Sequence, residues 1–395
     1  MKSYTKETIA VVTVILAAIL TESTLVPTIV AYTLVILTYG FLVIVVLPSD
    51  ISLRIPAWSL PLLLTIWTLY LLHLVLPVFT DQRMTIGVLI RPPVFILFAI
   101  LNLFLVPYLI PPKRFFSFIT GVSTVLVLIG LPTIYVDYHV IIFEITHDAT
   151  MNVLGYEIRR ITSIFGNPNV SGFFFMIGFV ISFVIYAKDK TFILFILVLV
   201  NGTGLFLTES RAGYLGAVIG VAFFILLIIT NARLTRITVW GYLLASATGV
   251  AILANVIPRP EFISPTDLGS RPGLWEGGVQ AIVNSPLGYG TWSTKTPIEP
   301  YLIPQLTGSG VHSAYLRMFL STGFLGGLFY ALFILYCLLS AIRENSSTED
   351  CIIFTVAIAI ATKEIFEGNT IFGISMSSIL ISITFGYAMR IPQNN

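Results

Sequence analysis

The chain has 395 residues, 56% hydrophobic and only 10% charged, with a formal net charge of +2 and a mean hydropathy of +0.96. A water-facing globule needs roughly 25% charged residues to cover itself, so the composition excludes a soluble domain and predicts an all-α polytopic membrane protein. The small net charge gives no reason to expect a nucleic-acid partner. The two cysteines, Cys337 and Cys351, imply neither a disulfide framework nor a thiolate metal site.

A transmembrane helix needs about 20 apolar residues. Runs of that kind between charged or Pro/Gly breaks number about twelve, near 8–21, 25–47, 57–78, 86–110, 115–135, 169–186, 190–207, 211–230, 236–256, 311–341, 351–365 and 371–389, making 1–395 a single transmembrane domain. Lys2, Lys6 and the first apolar run look like a secretory signal. With no small-residue cleavage site before Glu22 and further spans following, a retained signal anchor is expected. Placing the N-terminus inside puts Lys2, Lys6, Arg54, Lys113, Arg114, Lys188, Lys190, Arg233, Arg236, Arg343 and Arg390 in short cytoplasmic loops. The expected location is the plasma or inner membrane, with both termini cytoplasmic.

On that topology two longer segments, about 136–168 and about 257–310, lie outside. The second contains a helical stretch: Ser270 can cap it, Pro272 suits its first turn, and Leu274, Trp275, Val279 and Ile282 share a face before Asn284-Ser285-Pro286 stops it. A short amphipathic helix on the outer membrane face is predicted there, with Arg271 at its start.

The basic residues on the outer side need a reason. Arg211, in "LFLTESRAGYLGAVIGV", interrupts apolar sequence, and an ionisable group at membrane depth costs about 2.5–3.5 kcal/mol at mid-span. It is either a snorkelling partner of Glu209 or a ligand-binding group with space left by Ser210, Ala212 and Gly213. Arg159 and Arg160, in "GYEIRRITSIFGNPNVSG", are either a solvated pair with Glu157 as partner or part of a site, and Asn-Pro-Asn after them is a helix cap. Arg271 and Trp275 stand at i and i+4, where stacking is the structural alternative. His312 is either a helix cap or a base, since an imidazole near its ordinary pKa of about 6.5 accepts a proton at neutral pH. His73, His139 and His147 are assigned no role. There is no Asp-x-Asp, no HExxH, no Gly-rich phosphate loop and no Cys/His cluster, so neither a metal nor a nucleotide cofactor is expected. Outward arginines can do for a diphosphate what Mg²⁺ does elsewhere, by bidentate hydrogen bonding and charge neutralisation.

"HSAYLRMFLSTGFLGG" resembles the O-antigen ligase signature, in which His and Asn, Ser or Gln are followed after nine residues by Gly and after two more by Gly, Thr or Tyr. Here the places hold His312, Ser313, Gly323 and Gly326. "TESRAG", "RPGLWEGG…NSPLGYG" and "GNPN" are similar to other pieces of the O-antigen ligase and polymerase superfamily, in the same order, over about 160–330. The resemblance implies a GT-C-like membrane glycosyltransferase, metal-independent, that takes a glycan from a polyprenyl diphosphate donor at the extracytoplasmic face and joins it to a glycan, lipid or protein acceptor. Ligase to lipopolysaccharide core, polysaccharide polymerase and protein O-oligosaccharyltransferase are all within that family. It implies His312 as the catalytic residue and Arg211 and Arg271 as diphosphate ligands, with Arg159 or Arg160 a further candidate. Arg317, a turn and a half deeper than His312, either holds a phosphate or braces a neighbouring helix. A lipid-linked glycan flippase would also need cavity-facing arginines, but should show internal repeats or matched broken spans. A membrane scaffold would need no outward arginines.

Overall fold

The computed structural model describes residues 3–46, 59–75, 86–140, 143–145, 147–153, 155–258, 269–290, 293–344 and 346–390. Lys2 and Arg54 of the predicted cytoplasmic set lie outside them. Helices α1 (Ser3–Leu20), α2 (Thr28–Val46), α3 (Ser59–Val75) and α4 (Ile86–Ile100) come first, α4 running through a π-helical turn at Leu101–Leu105 into α5 (Val106–Leu109). Then follow α6 (Pro112–Gly130), α7 (Pro168–Asp189), α8 (Phe192–Leu207), α9 (Arg211–Ile229) and α10 (Ala232–Leu253). Short helices α11 (Arg271–Asn284) and α12 (Lys295–Ile298) precede α13 (Ala314–Ala341), α14 (Thr348–Lys363) and α15 (Met376–Met389).

Each predicted apolar run therefore coincides with a helix. Among the described residues six stretches are long and apolar enough to cross a membrane, Ile90–Leu109, Pro112–Ile134, Pro168–Asp189, Arg211–Ile229, Ala232–Leu253 and Ala314–Ala341, and shorter apolar helices accompany them. The chain is a polytopic membrane protein. In lipid the backbone must satisfy its own polar groups, which is why apolar runs become helices there.

α7 is the centre of the bundle. Its Phe173, Phe174 and Phe175 are fully buried, as suits a helix that is apolar all round. Small residues set the closest approaches, because helices in lipid associate by packing and not by escape from water. A Cβ on Gly216 of α9 would stand 2.7 Å from the Ala359 carbonyl of α14, and one on Gly220 would stand 3.1 Å from the Thr355 carbonyl. α10 is different: only 6% of its apolar window is buried, against 39% to 67% in the other five long spans.

The first long segment departs from the all-α expectation. It forms two antiparallel hairpins, β1 (Tyr138–Val140) with β2 (Phe143–Ile145), and β3 (His147–Val153) with β4 (Tyr156–Ile161). Their register pairs Thr150 with Arg159 and Met151 with Ile158. The second long segment contains α11 as predicted, with two corrections. Ser270 occupies the N-cap position but makes no capping hydrogen bond. The helix also does not simply float on the membrane: Leu274, Trp275 and Ala281 are buried in a small core with Val311, Leu316 and Leu320. Its outer side is covered by its own loop, with Leu306 over Gly273 and Leu302 over Gly277.

Candidate functional site

Where these segments meet, at one end of the bundle, a polar cavity of about 350 Å³ is lined by Arg160, Asn169, Glu209, Arg211, Gly269, Ser270, Arg271, His312 and Glu367. Six stretches of chain contribute: β4, the start of α7, the α8–α9 turn, the start of α11, the approach to α13 and the loop after α14. Of the predicted residues, Arg160, Arg211, Arg271 and His312 are brought together, while Arg159 and Arg317 are not among the lining residues.

The strand explains the choice between the two adjacent arginines. Successive side chains of β4 point to opposite faces. Arg160 turns to the cavity, where its Nε donates to the Thr208 carbonyl at 3.1 Å and faces the Glu209 carboxylate at 3.5 Å. Arg159 turns away to Asp137, 3.6 Å distant. Glu157 is the partner of neither in these pairs.

Arg211 is the first residue of α9. Ser210 caps that helix by accepting from the Gly213 amide at 3.3 Å. The small residues around it act by close packing and do not open space as expected: a Cβ on Gly172 of α7 would lie 2.3 Å from Ser210 Cβ, and Ser210 and Ala212 are buried. The tight seat of the turn leaves Arg211 exposed at the cavity, with no side-chain hydrogen bond or ion pair to a described residue. Glu209, its expected partner, pairs with Arg160 instead. Asn167 caps α7 as predicted, its side chain accepting from the Asn169 amide at 2.8 Å.

Arg271 faces the loop that follows α14. Its Nε donates to the Phe366 carbonyl at 3.2 Å, and a terminal nitrogen reaches Glu367 Oε1 at 3.3 Å. Its guanidinium lies 6.0 Å from the Phe366 ring centre, and Trp275 meets the same ring at 5.6 Å, so Phe366 stands in the role foreseen for an Arg271–Trp275 stack. This loop is fixed from below. The Glu364 carboxylate accepts from the Asn369 amide at 2.9 Å and from buried Lys363 at 3.1 Å, and Lys363 lies 4.7 Å from the centre of the Phe173 ring. Arg317 packs on it as well, its guanidinium 3.1 Å from the place a Cβ on Gly368 would occupy.

His312 is carried on the short lead into α13. The Val311 amide donates to Thr294 Oγ1 at 3.1 Å, the Ala314 amide donates to the Glu364 carbonyl at 3.0 Å, and Ser313 caps α13. Held from both sides, His312 sits in the left-handed region at φ 44°, and Glu209 across the cavity at φ 51°. A non-glycine residue there costs of order 1–3 kcal/mol and persists where its surroundings over-determine it. The imidazole is exposed to the cavity and makes no hydrogen bond to a described residue. Partial desolvation in the cavity holds its pKa below the ordinary 6.5; Glu367 pulls it up, and Arg271, Arg317 and Lys295 push it down. It is thus neutral and a proton acceptor at pH 7.

The two glycines of the His-Ser-x9-Gly motif shape the helix behind it. At Gly323 α13 breaks, with φ 75° and ψ −177°. The loop Pro286–Gly290 docks into the break: Tyr289 donates to the Leu320 carbonyl at 2.7 Å, Gly290 to Ser321 at 3.1 Å, and Phe324 to Pro286 at 2.8 Å. Gly288, at φ 84°, faces Gly323 across this contact. "NSPLGYG" and the histidine motif are therefore two halves of one joint.

Beside the cavity an apolar slot of about 550 Å³ opens between α10 and α13. It is walled by residues such as Leu244, Val250, Phe319 and Leu335, and reaches Ser313 and Ile365, next to the polar site. The low burial of α10 is what leaves it open.

Sequence reading missed Glu209 as a partner of Arg160, Asn169 as a wall, and Glu367 altogether. The signal for Glu367 was "ATKEIFEG", three charges at the edge of a predicted span. No curated protein matches the chain. Residues 193–331, which hold Arg211, Arg271, His312 and both halves of the Gly323 joint, match the family described as O-Antigen ligase.

Proposed function

We propose that the protein transfers a glycan from a polyprenyl diphosphate to an acceptor hydroxyl at the extracytoplasmic face of the plasma or inner membrane. The observation that carries this reading is the meeting of Arg160, Arg211, Arg271 and a neutral His312 in one cavity beside an apolar slot. A lipid with its diphosphate in the cavity would lay its isoprenoid tail along α10 and α13. His312 takes the proton of the acceptor hydroxyl as the oxygen bonds to the anomeric carbon. The bond from that carbon to the diphosphate breaks, and its electron pair leaves on the phosphate oxygen. The guanidiniums meet the charge that develops there. A general base of this kind contributes about 10²–10⁴ in rate.

In this reading twelve helices cross the membrane in a GT-C-like arrangement with both termini cytoplasmic. Supporting it, basic residues gather at the end of the bundle remote from the cavity: Arg343 pairs with Asp350 and donates to the Arg390 carbonyl at 2.7 Å, and Arg236 donates to the Ile342 carbonyl at 2.9 Å. Among the described residues no three His, Cys, Asp or Glu side chains stand together as metal ligands. In this mechanism arginine carries the phosphate charge. Ligase, polymerase and protein O-oligosaccharyltransferase share this chemistry and differ in the acceptor.

Purified protein in proteoliposomes, given a lipid-linked glycan and a mixture of hydroxyl acceptors, should form a glycosylated acceptor and release polyprenyl diphosphate. Movement of the lipid across the bilayer without transfer would overturn the reading in favour of a flippase.

A further inference from the structure

Two of the three arginines that line the cavity are not bare. Arg160 faces Glu209 at 3.5 Å and Arg271 faces Glu367 at 3.3 Å, each through one nitrogen, while Arg211 faces the space without a described partner. Both contacts are longer than the 2.7–2.9 Å of a tight charge-assisted pair. Neither pair is sealed from water: the side chains of Arg160 and Glu209 are 19% and 37% exposed, those of Arg271 and Glu367 25% and 11%. Such contacts are weak and exchangeable, worth far less than a buried network. The structural devices of this protein look different, as in the Lys363–Glu364 pair, where both side chains are almost wholly buried.

We propose that Glu209 and Glu367 are resident counter-ions that occupy Arg160 and Arg271 in the empty site, yield them to the donor's diphosphate, and retake them to expel the diphosphate product. The inference rests on the donor reading above. Transfer leaves a diphosphate with a free terminal oxygen, which gains up to about one further negative charge. The product is therefore held more strongly by arginines than the donor was, and a cavity of arginines alone would trap it. Two carboxylates fixed beside the guanidiniums compete for the same hydrogen-bond donors and lower the affinity for substrate and product alike. Arg211, free of such competition, is the first to engage the incoming anion. Glu367 also sits where its charge opposes that of Arg271, Arg317 and Lys295 around His312, whereas Glu209 is not among the groups that shift the His312 pKa, so Glu209 gives the cleaner test.

The test measures binding of a polyprenyl diphosphate without glycan to the full chain in nanodiscs, for wild type, Glu209→Gln, Glu367→Gln and the double variant, together with steady-state transfer and its inhibition by the same lipid. Each substitution should tighten binding about two- to fivefold, the range set by partly exposed ion pairs. The double variant should bind tighter still, with slower turnover and stronger product inhibition. Loss of a side chain that only held the fold would weaken binding, which is the opposite sign. If Glu367→Gln fails to fold, Glu209→Gln carries the test alone. Unchanged or weaker binding in folded Glu209→Gln overturns the counter-ion role. Wild-type protein that binds no polyprenyl diphosphate overturns the donor reading, and the counter-ion role falls with it.

Discussion

Replacing Gly323 by alanine tests whether the joint behind His312 is as tightly specified as its geometry implies. The residue lies at φ 75° and ψ −177°, a region open essentially to glycine alone. A Cβ there would meet the Leu287 carbonyl carbon at 2.5 Å and the Pro286 and Leu287 oxygens at 2.6 Å. All three are backbone atoms, so no rotamer change relieves the clash, and the loop must move off the helix. Undocking forfeits the amide bonds of Tyr289, Gly290 and Phe324, each worth about 0.5–1.5 kcal/mol net. With backbone strain of order 1–3 kcal/mol, the local contact weakens by about 2.5–7.5 kcal/mol. Hydrogen exchange in nanodiscs should show the amides of Tyr289, Gly290 and Phe324 opening at least about 10²-fold more often, and glycan transfer should fall with them. Gly249→Ala in α10 is the control, since nothing lies within 4 Å of the place its Cβ would occupy. Its effect on those three amides should be small. Unchanged protection in Gly323→Ala would refute the reasoning.

His312→Ala should bind the lipid-linked donor with near-native affinity and transfer it about 10²–10⁴ times more slowly in single turnover; full single-turnover transfer would remove the histidine from the mechanism. Arg211→Ala should weaken donor affinity and turnover together, because a guanidinium that grips the diphosphate acts in both ground and transition states; a change in turnover alone would contradict that. The transfer rate should fall on acidification as His312 protonates. Because partial desolvation and three cations hold its pKa down, the midpoint should lie below 6.5, and one above 6.5 would show that Glu367 or the donor outweighs them. Transfer should survive excess EDTA, and a loss restored by Mg²⁺ or Mn²⁺ would contradict charge neutralisation by arginine.

The helices were legible because lipid imposes one rule, an unbroken apolar run with its backbone satisfied internally. Arg211, Arg271 and His312 were legible for the converse reason, since costly polar groups at a membrane boundary need a purpose. What could not be read was pairing. Glu209 was assigned to Arg211, two residues away, whereas the fold gives it to Arg160 on a strand 49 positions earlier. The hairpins were missed, and with them the alternation that separates Arg159 from Arg160: β4 is too short and too mixed in polarity to stand out beside long apolar helices. Glu367 escaped because it follows the last charged pair of a span and looks like an ordinary helix end. Ser210, Ala212 and Gly213 were read as leaving room around a ligand, yet smallness there serves the approach of α9 to α7. The motif glycines carried more structure than their spacing could tell, because a close approach of two backbones leaves no mark on hydropathy.

The detached stance of α10 has a consequence for how the protein meets its surroundings. A slot bounded on one side by a helix with only 6% of its apolar window buried should have a width that answers to the lateral pressure of the acyl chains outside as well as to contacts within. The bilayer would then be a component of the aperture, and chain order, bilayer thickness and temperature would regulate it without touching any residue of the polar cavity. Saturated, ordered lipid should press α10 inward and slow loading, and fluid lipid should relax it. In detergent, where that pressure is absent, the same polypeptide would work with a differently shaped opening.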